Sequence, residues 1–419
     1  MKADPVRLLA LDLLVQVSGG ALLDPLLDQA LDNLEAPRSR AFLAELVRGS
    51  IQWRERYRQV LNSFVARKFP DDERLLQLLY LSLHQLLGLD GVAPFAAIHQ
   101  AGEVCRVRVS EKQVGFVNGV LQAVRRELLP ESDNDDRNTG PDLRAREERM
   151  RPLFAELESD PVRWLSAWYS HPQWLVKGWL DRFGRSQTEA ICAANNQRPP
   201  LFFHVLEPAD VQQLTRDLEE AGCSVVPAGG SGGLKALNRI GRHPLREILE
   251  RFGSLLVQDI TVQEATAWLL DARVNLAADG DQAESRLWAL DMCAAPGGKT
   301  VRLAARWQSD FPVAAMDNRP ARVALLRDTL NRTGLGGIQV IMGDGLVPPL
   351  AAGSCAGVLL DGPCSGTGVL RHHPEGRWQM PRRSPRRNGR LLTQLAENAA
   401  DLLAPGGLLM YATCSLEQP

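Results

Sequence analysis

Five strand-like runs in the last third of the chain each end at, or run directly into, a residue that can do chemistry. Asp291 falls at the end of the run Leu287–Met292, Asp317 follows Val313–Met316, and Asp344 follows Ile338–Met342 inside Gly343-Asp344-Gly345. Asp361 ends Gly357–Asp361, and Cys414 follows Leu408–Ala412. Ligands of open α/β sheets bind beyond the carboxyl ends of the strands. One carboxylate at such a place means little, but four carboxylates and a thiol at consecutive strand ends point to a site. An acidic residue at the end of a second strand can accept hydrogen bonds from ribose hydroxyls. The structural role also open to Asp317, just before Arg319-Pro320, is a helix N-cap. A thiol suits nucleophilic attack, because even an unperturbed Cys is partly thiolate near neutral pH.

The first turn reads Asp291-Met-Cys-Ala-Ala-Pro-Gly-Gly-Lys-Thr300. Its small residues and Gly297-Gly298 let a ligand approach the backbone closely, and the helix that follows offers free N–H groups. Gly298-Lys299-Thr300 resembles the end of a phosphate loop. That motif needs Gly five residues before Gly298, where this chain has Cys293, so the match fails. The GxGxxG dinucleotide pattern is absent as well. A nucleoside cofactor without a polyphosphate fits better.

The elements that must position these residues alternate. Helix-like runs at Thr300–Trp307, Ala321–Arg332 and Arg390–Leu403 lie between the strands, which predicts a parallel sheet with helices on both faces. Residues 1–130 read differently. Val6–Val17, Arg40–Ile51, Leu75–Leu87 and Gln113–Leu129 carry apolar residues at helical spacing, and no strand alternation interrupts them. Glu131–Arg149 is polar and reads as a linker or solvated loop. A helical stretch with Trp164, Trp168, Trp174 and Trp179 follows, these tryptophans being expected in the core. Pro199–Leu206 (a strand), Asp210–Ala221 (a helix) and Cys223–Val226 (a return strand) suggest a small α+β unit. The expected organisation is therefore a helical domain over 1–130, a linker over 131–150, a small α+β domain over 151–250 and an α/β domain over 251–419.

Bulk properties narrow the function. The net charge of −2 announces no global positive field, so any nucleic-acid site must be a local patch. Charges at Lys2, Asp4, Arg7 and Asp12 break the apolar core that a secretory signal needs, and the nearly apolar run Leu346–Leu360 is too short to span a bilayer. A cytoplasmic location without membrane attachment is expected. Seven cysteines without a CxxC pair argue against zinc ribbons and thioredoxin-like chemistry, and disulfides are not expected in a reducing compartment. Cys105, Cys192, Cys223, Cys355 and Cys293 read as packing residues, whereas Pro363-Cys364 and Thr413-Cys414-Ser415 come as a pair of motifs. His372 and His373 lack a third ligand, so no metal is expected. Arg371, Arg377, Arg382, Arg383, Arg386, Arg387 and Arg390 face a single Glu375, and beside the active edge they suggest phosphate binding.

Taken together, these residues resemble the bacterial 16S ribosomal RNA cytosine-5 methyltransferases of the small-subunit methyltransferase B type. Asp291–Thr300, Asp361–Gly368 (DGPCSGTG), Arg371–Trp378 (RHHPEGRW) and Thr413-Cys414-Ser415 carry the resemblance, with Val257–Gln263 ahead of them. Ala97–Gln100 and Phe116–Leu121 resemble the NusB-like helical RNA-binding domain of the same type, and Ser170–Trp174 its middle segment. The resemblance implies an all-α NusB-like domain, a small α+β RNA-binding domain and a Rossmann-like methyltransferase domain. It implies S-adenosyl-L-methionine as cofactor, held by Cys293, Ala294, Ala295, Pro296, Gly297, Gly298, Lys299 and Arg322, with Asp317 at the ribose, Asp344 at the adenine and Asp361 beside the reacting cytosine. Cys414 would be the nucleophile, Cys364 would assist release, and Asp361 with Lys299 would act on the base.

The chemistry asks for those residue types. Carbon 5 of cytosine is a poor nucleophile until a thiolate adds to carbon 6, and a base must later remove the hydrogen at carbon 5. An acid holding the ring nitrogen or amino group eases the addition. The target must also leave its stack, which costs less in a loop than in a duplex. The implied partner is 16S rRNA, before or during small-subunit assembly, with the enzyme acting as a monomer. Two other readings are an assembly factor that binds RNA without catalysis and a transfer-RNA cytosine-5 methyltransferase. DNA is disfavoured because DNA enzymes use the Pro-Cys cysteine and lack Thr-Cys-Ser. Three departures from the family pattern stand out: Gly362 replaces the usual Ala, Phe203-His204-Val205-Leu206 lacks the Arg and Asn usual after the double proline, and only five residues follow Cys414. The last leads to the expectation of a truncated or incomplete chain, lacking its final strands, with reduced or no activity.

Overall fold

The computed structural model describes residues 2–65, 71–129, 142–206, 211–229, 233–237, 242–271 and 287–417. The chain divides into two compact units. One comprises Met1–Arg198 with Gly366–Arg382, and the other Pro199–Ser365 with Arg383–Pro419.

The first unit is helical. Pro5–Ser18 starts where Asp4 accepts the Arg7 N–H at 2.9 Å, with Pro5 supplying the preset first position. Pro37–Gln52, Glu73–Leu83 and Val114–Leu128 match the periodic stretches of the sequence. Leu23–Asp32, Arg54–Phe64 and Pro94–Arg108 complete the packing. Leu11, Leu14, Leu43, Leu46, Leu79 and Val117 form the dry interior. The segment read as a solvated linker differs in part. Residues 131–141 lie outside the described ones, but Leu143–Met150 is a helix capped by Asp142. Its Arg146 is buried and donates to the Leu86 and Leu89 carbonyls at 3.1 and 2.7 Å, so a polar composition concealed an anchored helix. The tryptophans do pack inside. Trp164 stacks on Trp168 with centroids 6.1 Å apart, Phe154 meets Trp168 edge-on, and Trp179 is fully buried; Trp174 is only half-buried.

The motif Arg371–Trp378 belongs to this helical unit. Arg377 is completely buried and donates to the Ser170 carbonyl, the Asn195 carbonyl and Asn196 Oδ1 at 2.9, 3.2 and 2.9 Å. Burial pulls its guanidinium down to about 9. Trp378 Nε1 donates to the Ile51 carbonyl, Gln379 to the Val17 carbonyl, and His373 pairs with Asp24 at 3.2 Å. Phosphate binding by Arg377 is therefore corrected: its side chain is buried, and its Nη1 and Nη2 groups donate to backbone and amide oxygens of the same unit.

The second unit opens with a βαββαβ run. Strands β1 (Phe202–Val205), β2 (Val225–Ala228), β3 (Gly233–Ala236) and β4 (Leu255–Val257) form an antiparallel sheet in the order β2-β3-β1-β4. Helices Val211–Glu220 and Arg242–Arg251 connect them, and Phe203, Leu218, Leu234 and Leu255 fill the core. That connectivity and order define a ferredoxin-like unit. The segment after β4 leads into the second sheet, where Arg302 donates to Gln258 Oε1 and to the Gln263 carbonyl.

The second sheet contains β5 (Trp288–Asp291), β6 (Val313–Asp317), β7 (Ile338–Met342), β8 (Cys355–Asp361) and β9 (Leu403–Ala412), all parallel, in the order β7-β6-β5-β8-β9. Alternate residues feed opposite faces, as the two-residue strand period requires. Leu290, Val358 and Leu360 pack with Leu395 and Leu402 of the helix Ser384–Leu402. Ala289 and Leu359 face Leu303 and Trp307 of the helix Gly298–Trp307. Gly357 is forced, because any side chain there would strike the Trp307 ring. The expected multidomain architecture, helical, then small α+β, then Rossmann-like, is the one observed, and the α+β unit is ferredoxin-like. Among the described residues, no helix is long and apolar enough to cross a membrane.

Candidate active site

The strand order reverses at β5: β6 and β7 lie to one side, β8 and β9 to the other. Neighbouring connections leave the sheet in opposite directions there and open a crevice beyond the carboxyl ends. A cleft of about 1370 Å³ occupies that place, and its walls include Cys293, Asp317, Asp344, Asp361, Cys364 and Cys414.

The turn after β5 is built by buried polar contacts. Asp291 is buried, and its Oδ2 accepts from Thr300 Oγ1 at 2.7 Å, which folds the turn back onto the first turn of the following helix. Burial pushes the Asp291 carboxyl up to about 7. Ala294 N–H bonds the Met316 carbonyl at 2.8 Å, tying the turn to β6. Gly297 has φ +108°, and a Cβ there would meet Leu326 at 2.9 Å, so only glycine fits. Lys299 projects from the helix start, and its Nζ donates to Asp361 Oδ2 at 2.6 Å.

Asp317 is held rigidly at the end of β6. Its Oδ1 accepts the Arg319 N–H at 3.2 Å and its Oδ2 accepts Arg322 Nε at 2.9 Å. Arg322 Nη2 also donates to the Ala295 carbonyl at 2.6 Å, so one guanidinium joins the ends of β5 and β6. Asp344 follows β7 and accepts the Leu346 N–H at 3.0 Å.

Cys364 and Cys414 leave neighbouring strands. Asp361 is paired with Ala412 in the β8–β9 ladder, so the two loops start side by side. The structure joins the two sulfurs as a disulfide, with the Cα atoms 6.4 Å apart. The expectation that all seven cysteines stay unpaired is corrected for these two, because register and parallel direction bring them to one point. Ser365 N–H and Oγ both donate to Ser415 Oγ, at 2.9 and 2.7 Å, and Asn388 Nδ2 donates to the Cys364 carbonyl at 2.9 Å. Cys105, Cys192, Cys223 and Cys355 are free and fully buried. Cys293 lines the cleft as a half-buried thiol, pushed up to about 12 by burial and then by the charges of Asp291 and Asp317.

Of the residues picked from the sequence, Cys293, Ala295, Asp317, Arg322, Asp344, Asp361, Cys364 and Cys414 line one cleft. Lys299 stands at its edge through Asp361. Ala294, Pro296, Gly297 and Gly298 are not on its wall; Ala294 and Gly297 shape the turn behind it. Sequence reasoning missed Asn318 and Arg319, Gly343 and Leu346, and Leu391 and Gln394 of the last helix. The first four adjoin strand-end aspartates, which was the available signal. The helix residues gave none, because nothing local shows which face turns to the cleft. Among the described residues, no group of three or more His, Cys, Asp or Glu is placed to hold a metal.

A parallel sheet with acidic residues at the ends of β6 and β7, a glycine turn without a phosphate loop and a cleft at the switch point define a Rossmann-like protein with a nucleoside-cofactor site. The family profiles agree segment by segment. The profile of the 16S rRNA methyltransferase RsmB/F matches residues 281–419, that of the NusB family residues 4–126, and that of the ferredoxin-like domain of RsmF/B-like methyltransferases residues 171–234. The ribosomal RNA small subunit methyltransferase B of Escherichia fergusonii is 30% identical over 405 residues, covering 93% of this chain and 83% of the relative. The probable ribosomal RNA small subunit methyltransferase B of Bacillus subtilis is 27% identical over 429 residues, covering 100% and 86%. The crystal structure of PH0851 superposes with a TM-score of 0.72 at 22% identity, covering 100% of this chain and 87% of that one, a likeness of fold. The chain belongs to the RsmB/F family of 16S rRNA methyltransferases. Its cofactor is S-adenosyl-L-methionine. The cleft fits that group: it offers carboxylate acceptors at two strand ends, a wall of small residues, and no polyphosphate cradle.

Proposed function

We propose that this protein methylates carbon 5 of a cytosine in 16S ribosomal RNA through a covalent adduct with Cys414. The observation that carries the reading is the convergence of Cys364 and Cys414 on one point of the cleft that also contains Asp317, Asp344 and Asp361. The relatives named for small-subunit ribosomal RNA support the substrate class.

S-adenosyl-L-methionine, when bound, supplies an electrophilic methyl group on a sulfonium. Asp317 would accept the ribose hydroxyls, kept in place by Arg322 and the Arg319 N–H, and Asp344 would accept from the adenine amino group. Cys293 and Ala295 would give the cofactor its wall on this side, with Ala294 and Gly297 shaping the turn behind them. Asp361, oriented by Lys299 at 2.6 Å, would accept from the 4-amino group of the cytosine and fix the ring over the cleft. The Cys414 thiolate would add to carbon 6, forming a sulfur–carbon bond and moving the ring electrons to carbon 5. Carbon 5 would then take the methyl group, the methyl–sulfur bond breaking to release S-adenosylhomocysteine; a base would take the carbon-5 proton, the C–H electron pair re-forming the ring double bond as the Cys414–carbon bond breaks to regenerate the thiolate. Cys364, beside the same sulfur, would assist that release. Activation of Cys414 needs both cysteines reduced, because the thiolate is the nucleophile.

The domain roles that go with this reading are RNA binding by the NusB-like domain over 1–130 and by the small α+β unit of β1–β4, and methyl transfer by the domain over 251–419; the helices Leu143–Met150, Pro161–Trp168 and Gln173–Asn195 belong to the first unit. The protein is proposed to act in the cytoplasm as a monomer, on rRNA before or during small-subunit assembly.

The test is methyl transfer to undermethylated 16S rRNA under reducing conditions, with the product nucleoside identified by mass spectrometry. Cys414→Ala is expected to lose transfer by at least ~10³-fold, as removal of a nucleophile does, while still binding S-adenosylhomocysteine. Cys364→Ala is expected to accumulate a protein–RNA adduct that survives denaturing electrophoresis. A Cys414→Ala enzyme as active as the parent, or a methyl group found elsewhere than carbon 5, would overturn the proposal.

A further inference from the structure

Arg383, Arg386, Arg387 and Arg390 stand at the start of the helix Ser384–Leu402, with Arg383 as its N-cap. Their spacing of three, four and seven places them on one helical face. All four are exposed, and all four line the cleft that contains Asp361, Cys364 and Cys414. Leu392, Leu395, Ala399 and Leu402 of the same helix are buried, which fixes the arginine face toward the opening.

Nothing in the fold accounts for four like charges there. Like charges at i,i+4 weaken a helix by a few tenths of a kcal/mol, and this face contains two such pairs, 383/387 and 386/390. Among the described residues, no carboxylate pairs with any of the four. Of the cleft carboxylates, Asp361 has a cationic partner in Lys299 and Asp317 in Arg322, while Asp344 accepts the Leu346 N–H. The whole chain is slightly acidic at −2, so the positive field is local to this rim. The four positions span about 10 Å along the helix axis, room for more than one phosphate.

We infer that this face grips the sugar–phosphate backbone of RNA on either side of the target nucleotide and so seats the base in the cleft. The inference rests on the proposed reading of the cleft as an RNA methyltransferase site. It also divides the arginine-rich stretch. Arg377 is a buried anchor, Arg371 and Arg382 belong to the helical unit, and the phosphate site is confined to the four on this face. Guanidinium groups suit the task, because they bond phosphate oxygens in a fixed two-pronged geometry.

The experiment uses the full chain and in-vitro-transcribed 16S rRNA, with Kd measured from 50 to 300 mM salt for the parent and for the triple variant Arg386→Gln/Arg387→Gln/Arg390→Gln. S-adenosylhomocysteine binding and thermal melting are measured in parallel. Losing three phosphate contacts on single-stranded RNA lowers the slope of log K against log salt by about 2, and RNA binding is expected to weaken at least tenfold while S-adenosylhomocysteine binding and melting stay unchanged. The matching triple Lys variant is expected to recover most of the slope. An unchanged slope and Kd overturns the inference. Loss of S-adenosylhomocysteine binding with RNA binding intact also overturns it, making the face a clamp for the cofactor carboxylate. If the parent binds RNA through this face but transfers no methyl group, the methyl-transfer reading fails and the phosphate site stands.

Discussion

Replacing Asp317 by Asn tests the cofactor side of the cleft most directly. A carboxylate offers about four acceptor directions on two oxygens. Two are used inside the protein, one by the Arg319 N–H at 3.2 Å and one by Arg322 Nε at 2.9 Å. The other two match the two hydroxyls of a ribose. A hydrogen bond to a charged group is worth roughly 1.5–3 kcal/mol, and Asn keeps one neutral acceptor oxygen. The net loss should be about 3 kcal/mol, a factor of ~10² in affinity. Folding should suffer little, because Asn fills the same volume and the Arg322 side chain is 46% exposed and can turn to water. Calorimetric titration with S-adenosylhomocysteine, beside a thermal melt, measures both. If the variant bound S-adenosylhomocysteine within threefold of the parent and melted normally, Asp317 would not be the ribose acceptor and the assignment of the cleft's donor half would fall.

Three further outcomes are expected. Protein prepared without reductant, with Cys364 and Cys414 joined as in the structure, should be inactive and should recover on addition of dithiothreitol; equal activity in both states would remove Cys414 as nucleophile. Arg377→Met should lower the urea-unfolding free energy of the full chain by about 2–4 kcal/mol, since it leaves two buried carbonyls unpaired at roughly 1–3 kcal/mol each and a half-buried amide oxygen at less, partly offset by no longer burying a charge. A loss below ~1 kcal/mol would show that the anchor is replaceable. Asp291 has its carboxyl raised from 3.8 to about 7 by burial, so its neutral form favours the folded state. That contribution is complete below pH 4 and is lost as pH rises through 7, at up to ~1.4 kcal/mol per pH unit between the two values. Asp291→Asn should flatten this part of the stability–pH curve, and parallel curves for the two proteins would contradict the assignment.

Much of the catalytic half was legible because parallel strands buried on both faces write themselves as short apolar runs, and their ends are marked by the aspartates. Ile338–Met342 was found to the residue. The start of β9 was not, because Ala404-Pro-Gly-Gly407 looks like a turn. The ladder instead pairs Cys355 with Leu403 and then Gly357 with Leu408, leaving the intervening residues as a bulge, which a strand at the end of the sheet tolerates. Arg146 and Arg377 misled in the same way. A buried arginine satisfied by carbonyls leaves the same letter in the sequence as a solvated one, and only the distant Leu86, Leu89, Ser170 and Asn195 reveal the difference. The meeting of Cys364 with Cys414 depended on strand order, which local pattern does not encode, although the paired motifs hinted at it.

The two units share the chain in an interrupted way: it passes from the first to the second at Arg198, returns at Gly366 and leaves again after Arg382. No single scission can therefore yield both pieces intact. A fragment beginning at Pro199 would carry the seventeen-residue stretch Gly366–Arg382 stripped of its hosts, with Arg377 and Trp378 deprived of Ser170, Asn195 and Ile51. Anyone dissecting this enzyme into separately expressed parts should expect the catalytic portion to behave poorly alone unless that excursion is replaced by a short loop.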